Sequence, residues 1–90
     1  MGLDRIRTAF ETARAEGRAA LMPYFTLGYP DRAESEAIVR TIADSGADLI
    51  ELGVPFSDPP ADGPTIQHST QIALDRGMTV QGCLEIAAKL

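Results

Sequence analysis

E-L-G-V-P-F-S-D-P-P-A-D-G-P-T-I-Q, residues 51 to 67, is the stretch on which the reading of this chain turns. It sets one carboxylate, Glu51, inside the end of an apolar run of strand character. A stiff polar connection follows, carrying Asp58 and Asp62, and a helix opens at Pro64. Connections in α/β units usually span about 2–6 residues. The one from Gly53 to Gly63 is roughly twice that length, and a long ordered loop in a compact fold is more often functional than not. An ionisable group in an otherwise apolar strand costs free energy, which marks Glu51 as a candidate functional residue.

Outward from this stretch the chain reads as alternating helices and strands. Asp48 to Leu52 (D-L-I-E-L) is a short apolar strand. Before it lies a helix with Ala37, Ile38 and Ile42 on one face. Asp31, three residues ahead of Glu34, gives a loose capping-box signal at its start, and Gly46 is its natural C-cap. Ala20 to Thr26 (A-L-M-P-Y-F-T) is an earlier strand, which Pro23 would demote to an edge. Leu3, Ile6, Phe10 and Ala13 recur at helical spacing among charged residues, an amphipathic helix ended by Gly17. Downstream, proline at the first helical position loses no needed N–H, so Pro64 starts a helix that runs to about Arg76 and stops at Gly77. Thr79 caps a last helix through Leu90.

Strand–helix–strand with short turns implies a parallel βαβ unit with a right-handed crossover. Both strands look apolar on both faces, as strands covered on both sides do. Two strands cannot supply that cover, and ordering costs about 1.5 kcal/mol per residue. The expectation is an α/β fold that is the N-terminal part of a longer protein.

Composition excludes several classes. A net charge of −5 with scattered basic residues argues against nucleic acid or anionic membrane as the main partner. Cys83 is the only cysteine, so no intrachain disulfide or thiolate metal cluster is available, which fits a reducing setting. The start, M-G-L-D-R-I-R-T-A-F, has no apolar h-region and does not read as a signal peptide. No apolar run approaches the length of a membrane span. Asp58 and Asp62 lack the spacing of a calcium loop and have no His/Cys cluster beside them, so no metal is expected.

The 51–67 stretch resembles the signature of the tryptophan synthase alpha chain family, a strand ending in E-L-G-x-P-F-S-D-P followed by x-A-D-G-P-x-I-Q. P-Y-F-T-L-G-Y-P-D, from Pro23 to Asp31, is similar to that family's first strand and its exit, and S-G-A-D-L-I-E-L to its second. One departure is visible: Pro60 stands where the family usually carries leucine. The resemblance implies a (β/α)8 TIM barrel with an extra N-terminal helix, of which residues 1–90 would be an incomplete N-terminal segment with about two of eight strands. It implies a cytoplasmic lyase of tryptophan biosynthesis that cleaves indole-3-glycerol phosphate, by a retro-aldol reaction, to indole and glyceraldehyde 3-phosphate. The partner implied is a beta chain, in an alpha2-beta2 heterotetramer. No cofactor is implied in this chain; pyridoxal phosphate would belong to the beta chain. By resemblance Glu51 and Asp62 are the catalytic carboxylates and Tyr24 lines the indole pocket. Pro55, Phe56, Asp58 and Pro59 match the loop that touches the beta chain.

Each residue also has a plainer reading. A strand-end glutamate can point into solvent or pair with an arginine. Asp62 at a helix N-terminus favours the macrodipole, worth about 0.3–1 kcal/mol. Tyr24 on a strand is commonly core, with a hydroxyl that needs a partner. His68 in Q-H-S-T-Q reads as a helix-surface histidine in a polar stretch, Phe56 as a lid or a partner anchor, and Cys83 as a small buried residue. Two further functions stay open: a stand-alone indole-releasing lyase of the same family, and a non-catalytic interaction module.

Overall fold

The structure, a computed structural model, describes residues 2–56 and 63–90. Helix α1 spans Gly2–Ala15, strand β1 Tyr24–Thr26, helix α2 Arg32–Asp44, strand β2 Glu51–Gly53, helix α3 Pro64–Asp75 and helix α4 Val80–Lys89. The two strands pair in parallel, Tyr24 opposite Glu51, Phe25 opposite Leu52 and Thr26 opposite Gly53. The Glu51 N–H donates to the Pro23 carbonyl and the Leu27 N–H to the Gly53 carbonyl, both at 2.9 Å.

The strands are shorter than the sequence suggests, and Pro23 explains part of this. Its carbonyl joins the ladder, but it has no N–H with which to extend the pairing backwards. Further back the contact is irregular, with the Leu21 carbonyl accepting from both Asp48 and Leu49 at 3.0 and 3.2 Å. Glu51 therefore opens the regular ladder rather than closing the strand.

The expectation of two apolar faces is also corrected. Side chains alternate across a strand. One face carries Phe25, Leu27, Ile50 and Leu52, which belong to or pack against a core of Leu27, Val39, Ala73, Met78, Cys83 and Ile86. The opposite face carries Tyr24, Thr26, Glu51 and Gly53. Burying a side chain the size of Leu27, Val39 or Ile86 contributes about 1.5–3 kcal/mol, so this one-sided core is what holds α2, α3 and α4 to the sheet.

Helix starts follow local chemistry closely. The Asp31 carboxylate accepts from the Glu34 N–H at 2.9 Å, the Thr79 hydroxyl oxygen from the Gly82 N–H at 3.0 Å, and Pro64 stands in the first turn of α3. Ser45 occupies the C-cap of α2, with Gly46 just beyond it. The buried line of α2 is Ser35 and Val39, with Ile38 and Ile42 half-buried and Ala37 exposed. In α1 only Ala13 is buried, and Leu3, Ile6 and Phe10 stand 80%, 46% and 51% exposed.

Ser35 is buried because the turn after β1 needs it. Its hydroxyl oxygen accepts from the Gly28 N–H and its proton goes to the Arg32 carbonyl, each at 2.9 Å. Gly28 has φ +92°, and a Cβ there would come within 2.7 Å of the Met78 side chain, so only glycine fits. The pair fixes where β1 hands over to α2.

At the other end of the strands, Arg18 grips Asp48 through two parallel bonds of 2.8 and 3.0 Å. The same carboxylate accepts from the Leu21 N–H at 2.7 Å, and Arg18 also reaches Glu16 at 2.8 Å. Arg18 and the Leu21 N–H hold the Asp48 carboxyl down at about 2, below its ordinary 3.8. A depressed folded-state pKa stabilises the fold above the unfolded value and stops doing so as pH falls through the folded one. The denaturant midpoint should therefore drop between about pH 4 and pH 2, and Asp48→Asn should flatten that part of the profile. Equal slopes for parent and Asp48→Asn in a urea titration at each pH would remove Asp48 from the acid transition.

Candidate functional site

Parallel register places Glu51 directly beside Tyr24, on neighbouring strands about 4.8 Å apart, with both side chains on the face that α2 and α4 leave open. Glu51 is exposed, and among the described residues no hydrogen bond or ion pair occupies its carboxylate. The arginine-paired reading of Glu51 therefore finds no support among these residues. A free carboxylate on an open face can accept or deliver a proton.

Tyr24 is 38% exposed rather than core. Its ring leans along the sheet and its hydroxyl end lies across Gly53, in the space a Cβ at that position would fill. Gly53 is thus the residue that leaves room for the Tyr24 ring across the strand that carries Glu51. Sequence reasoning named Tyr24 and passed over Gly53; the only signal was a glycine in a strand, which often marks close approach.

Thr26, the third member of the face, is 3% exposed. Its hydroxyl lies 2.8 Å from that of Ser69, one turn into α3. Ser69 also donates to the Ile66 carbonyl at 3.0 Å. With Tyr24, Phe25 and Tyr29, these residues line a cleft of about 160 Å³ between the end of β1 and α3. The polar stretch Q-H-S-T-Q is therefore divided: His68 is exposed as expected, whereas Ser69 is half-buried and Thr70 buried. Their spacing from Ile66 and Ala73 on the helix was the available sign that they face inward.

Asp62, Asp58, Pro59 and Pro60 lie outside the described residues. Of the rest of that loop, Pro55 is buried rather than exposed. Val54 and Phe56 flank it at 44% and 53% exposure, because alternation turns the residues on either side outward. A larger cavity, about 590 Å³, lies elsewhere, between α2 and β2 and lined in part by Val39, Asp44, Ile50 and Leu90. Among the described residues no helix is long and apolar enough to cross a membrane.

Residues 10–90 match the family model described as tryptophan synthase alpha chain. The tryptophan synthase alpha chain of Dechloromonas aromatica is 51% identical over 87 residues, which is 97% of this chain and 32% of that protein. That of Chloroflexus aurantiacus is 49% identical, over 98% of this chain and 33% of its own length. Among solved structures, tryptophan synthase from M. tuberculosis in its aminoacrylate-bound form superposes with a TM-score of 0.88 at 45% identity, over 91% of this chain and 34% of that one. The alpha subunit from Legionella pneumophila gives 0.89 at 35% identity, over 94% and 32%. The chain thus spans about a third of the length of the relatives it matches. The α/β fold with two parallel strands is the one those barrel structures share over that third.

A side chain at position 53 must displace the Tyr24 ring, and the ring can swing into solvent. Gly53→Ala should therefore change stability by no more than about 1 kcal/mol while moving the ring off β2. Nuclear Overhauser contacts between the Tyr24 ring and residue 53 would show this; unchanged contacts would mean that the ring does not need the glycine.

Proposed function

Because the chain belongs to the tryptophan synthase alpha chain family, we propose that residues 1–90 form the N-terminal segment of a single (β/α)8 domain and contribute a catalytic carboxylate to a lyase of tryptophan biosynthesis. The observation that carries this reading is Glu51, unpaired among the described residues, beside Tyr24 on the open sheet face and inside the E-L-G-V-P-F-S-D-P motif. The reaction is retro-aldol cleavage of indole-3-glycerol phosphate to indole and glyceraldehyde 3-phosphate.

The chemistry matches the residue type. Protonation of indole C3 turns the ring into an electron sink. Loss of the proton from the adjacent glyceryl hydroxyl forms the aldehyde as the carbon–carbon bond breaks, and the bonding electrons return to the ring. One carboxyl group within reach of both atoms serves both proton transfers, and such a group contributes about 10²–10⁴-fold. Asp62 takes the indole N–H as positive charge develops on the ring. Tyr24 covers the indole. No cofactor is needed for these steps; pyridoxal phosphate belongs to the beta chain.

The partner in this reading is a beta chain, in the cytoplasm and in an alpha2-beta2 assembly, met by the loop after β2. Phe56 is its apolar anchor; Pro55, being buried, shapes the loop beneath it, and Asp58 and Pro59 complete the contact.

Two measurements test this. In a full-length chain containing these residues, Glu51→Gln should lower turnover of indole-3-glycerol phosphate by about 10² or more with KM little changed. Near-normal turnover would return Glu51 to a solvent-facing surface role. Phe56→Ala should weaken calorimetrically measured binding to a beta chain by about tenfold or more, with a smaller change in cleavage. Undiminished binding would make Phe56 a lid instead.

A further inference from the structure

We propose that the Tyr24 hydroxyl is a specificity-determining group of this site, held over Gly53 to hydrogen-bond the glyceryl hydroxyl that does not react. The inference rests on the lyase reading above and deepens it. The family resemblance gives Tyr24 only as an aromatic wall of the indole pocket, whereas here its oxygen has a role of its own.

The strands fix where this oxygen lies. Tyr24 stands opposite Glu51 in the ladder, and Gly53 follows Glu51 two residues later on the same face. A Cβ at Gly53 would overlap the Tyr24 hydroxyl and the ring carbon that bears it, so the side chain runs diagonally across β2, toward the strand ends. The floor beneath it is tied down, because the Gly53 carbonyl accepts from the Leu27 N–H at 2.9 Å. Two residues of strand span roughly 6.6 Å, which is the step from Glu51 to the residue under the hydroxyl. Carboxylate and phenol are thus spaced along one face, and both side chains are exposed.

Three features set this oxygen apart from an ordinary surface phenol. Among the described residues no hydrogen bond engages it. The other hydroxyl on the face, that of Thr26 opposite Gly53, is taken up with Ser69 at 2.8 Å and does not compete for it. And the space it fills is kept open at a cost, because glycine within a strand is destabilising by about 0.5–1 kcal/mol relative to alanine. A phenol can both donate and accept. In the lyase reading Glu51 attends to indole C3 and to the hydroxyl on the carbon next to the ring. The one remaining alcohol of the glyceryl chain is on the adjacent carbon. The phosphate beyond it is anionic and better served by cationic side chains or helix N–H groups, so the neutral alcohol is the partner that suits a phenol. A site that offers a bond to a substrate hydroxyl rejects the analogue lacking it, since its own group is then left unpaired.

The test uses the full-length protein and two substrates: indole-3-glycerol phosphate and its analogue lacking only the non-reacting glyceryl hydroxyl, which can still undergo the same cleavage. The parent is first assayed on the first substrate; a folded but inactive parent overturns the lyase reading itself. With an active parent, Tyr24→Phe keeps the ring and removes only the oxygen. Its kcat/KM for indole-3-glycerol phosphate should fall about fivefold, the worth of one hydrogen bond between neutral groups. Its kcat/KM for the deoxy analogue should stay within about twofold of the parent's. The parent's preference for the hydroxylated substrate should thus shrink about fivefold in the variant. This ratio is taken within one preparation, so a smaller folded fraction does not alter it. Equal losses on both substrates overturn the proposal, because the oxygen then serves the indole ring or the phosphate. Unchanged kcat/KM on both overturns it as well, leaving Tyr24 as a ring alone.

Discussion

The register between β1 and β2 is the constraint on which the rest depends. Sliding one strand by a single residue would turn Glu51 into the helix-covered core and expose Leu52. Native pairing is held at both ends. At the entry, Asp48 takes the Leu21 N–H at 2.7 Å while Arg18 clamps the same carboxylate. At the exit, the Leu27 N–H reaches the Gly53 carbonyl and Ser35 secures the turn through Gly28. The location of the candidate carboxylate is thus a consequence of backbone pairing and of two polar groups that never approach it.

The sheet separates two kinds of work. Its helix-covered face is apolar and supplies the stabilising burial, through Leu27, Val39 and Ile86. Its open face is small and mixed, with a carboxylate, an aromatic ring, a hydroxyl and a glycine. Glycine there is a packing choice: it leaves room for Tyr24 to lie beside Glu51. The ion cluster at the strand entry stays charged well below neutral pH because Arg18 depresses the Asp48 carboxyl, so the clamp is insensitive to the proton transfers proposed for Glu51.

The 54–63 connection joins this open face to α3, which answers to two attachments of different kinds. Ala73 buries apolar surface in the common core, whereas Ser69, one turn earlier, makes a directional bond to Thr26. Apolar burial tolerates small shifts of a helix along its own axis; a 2.8 Å hydroxyl contact does not.

The sequence by itself determined the helices, their starts and the candidate chemistry. Asp31, Pro64 and Thr79 announce helix starts because capping is a bond between residues two or three apart. Glu51 and Tyr24 stood out by residue type and motif. Strand limits, the two-faced character of the sheet, the open apolar side of α1 and the burial of Pro55 were not legible. Three-residue strands are too short for a period of two to declare itself, and whether an apolar residue is covered depends on what lies opposite. Arg18 with Asp48 and Thr26 with Ser69 join residues 30 and 43 positions apart, so nothing near either partner signals the other. Local bonds can be read from the chain; contacts that exist only once the strands are in register had to be decided by the tertiary structure.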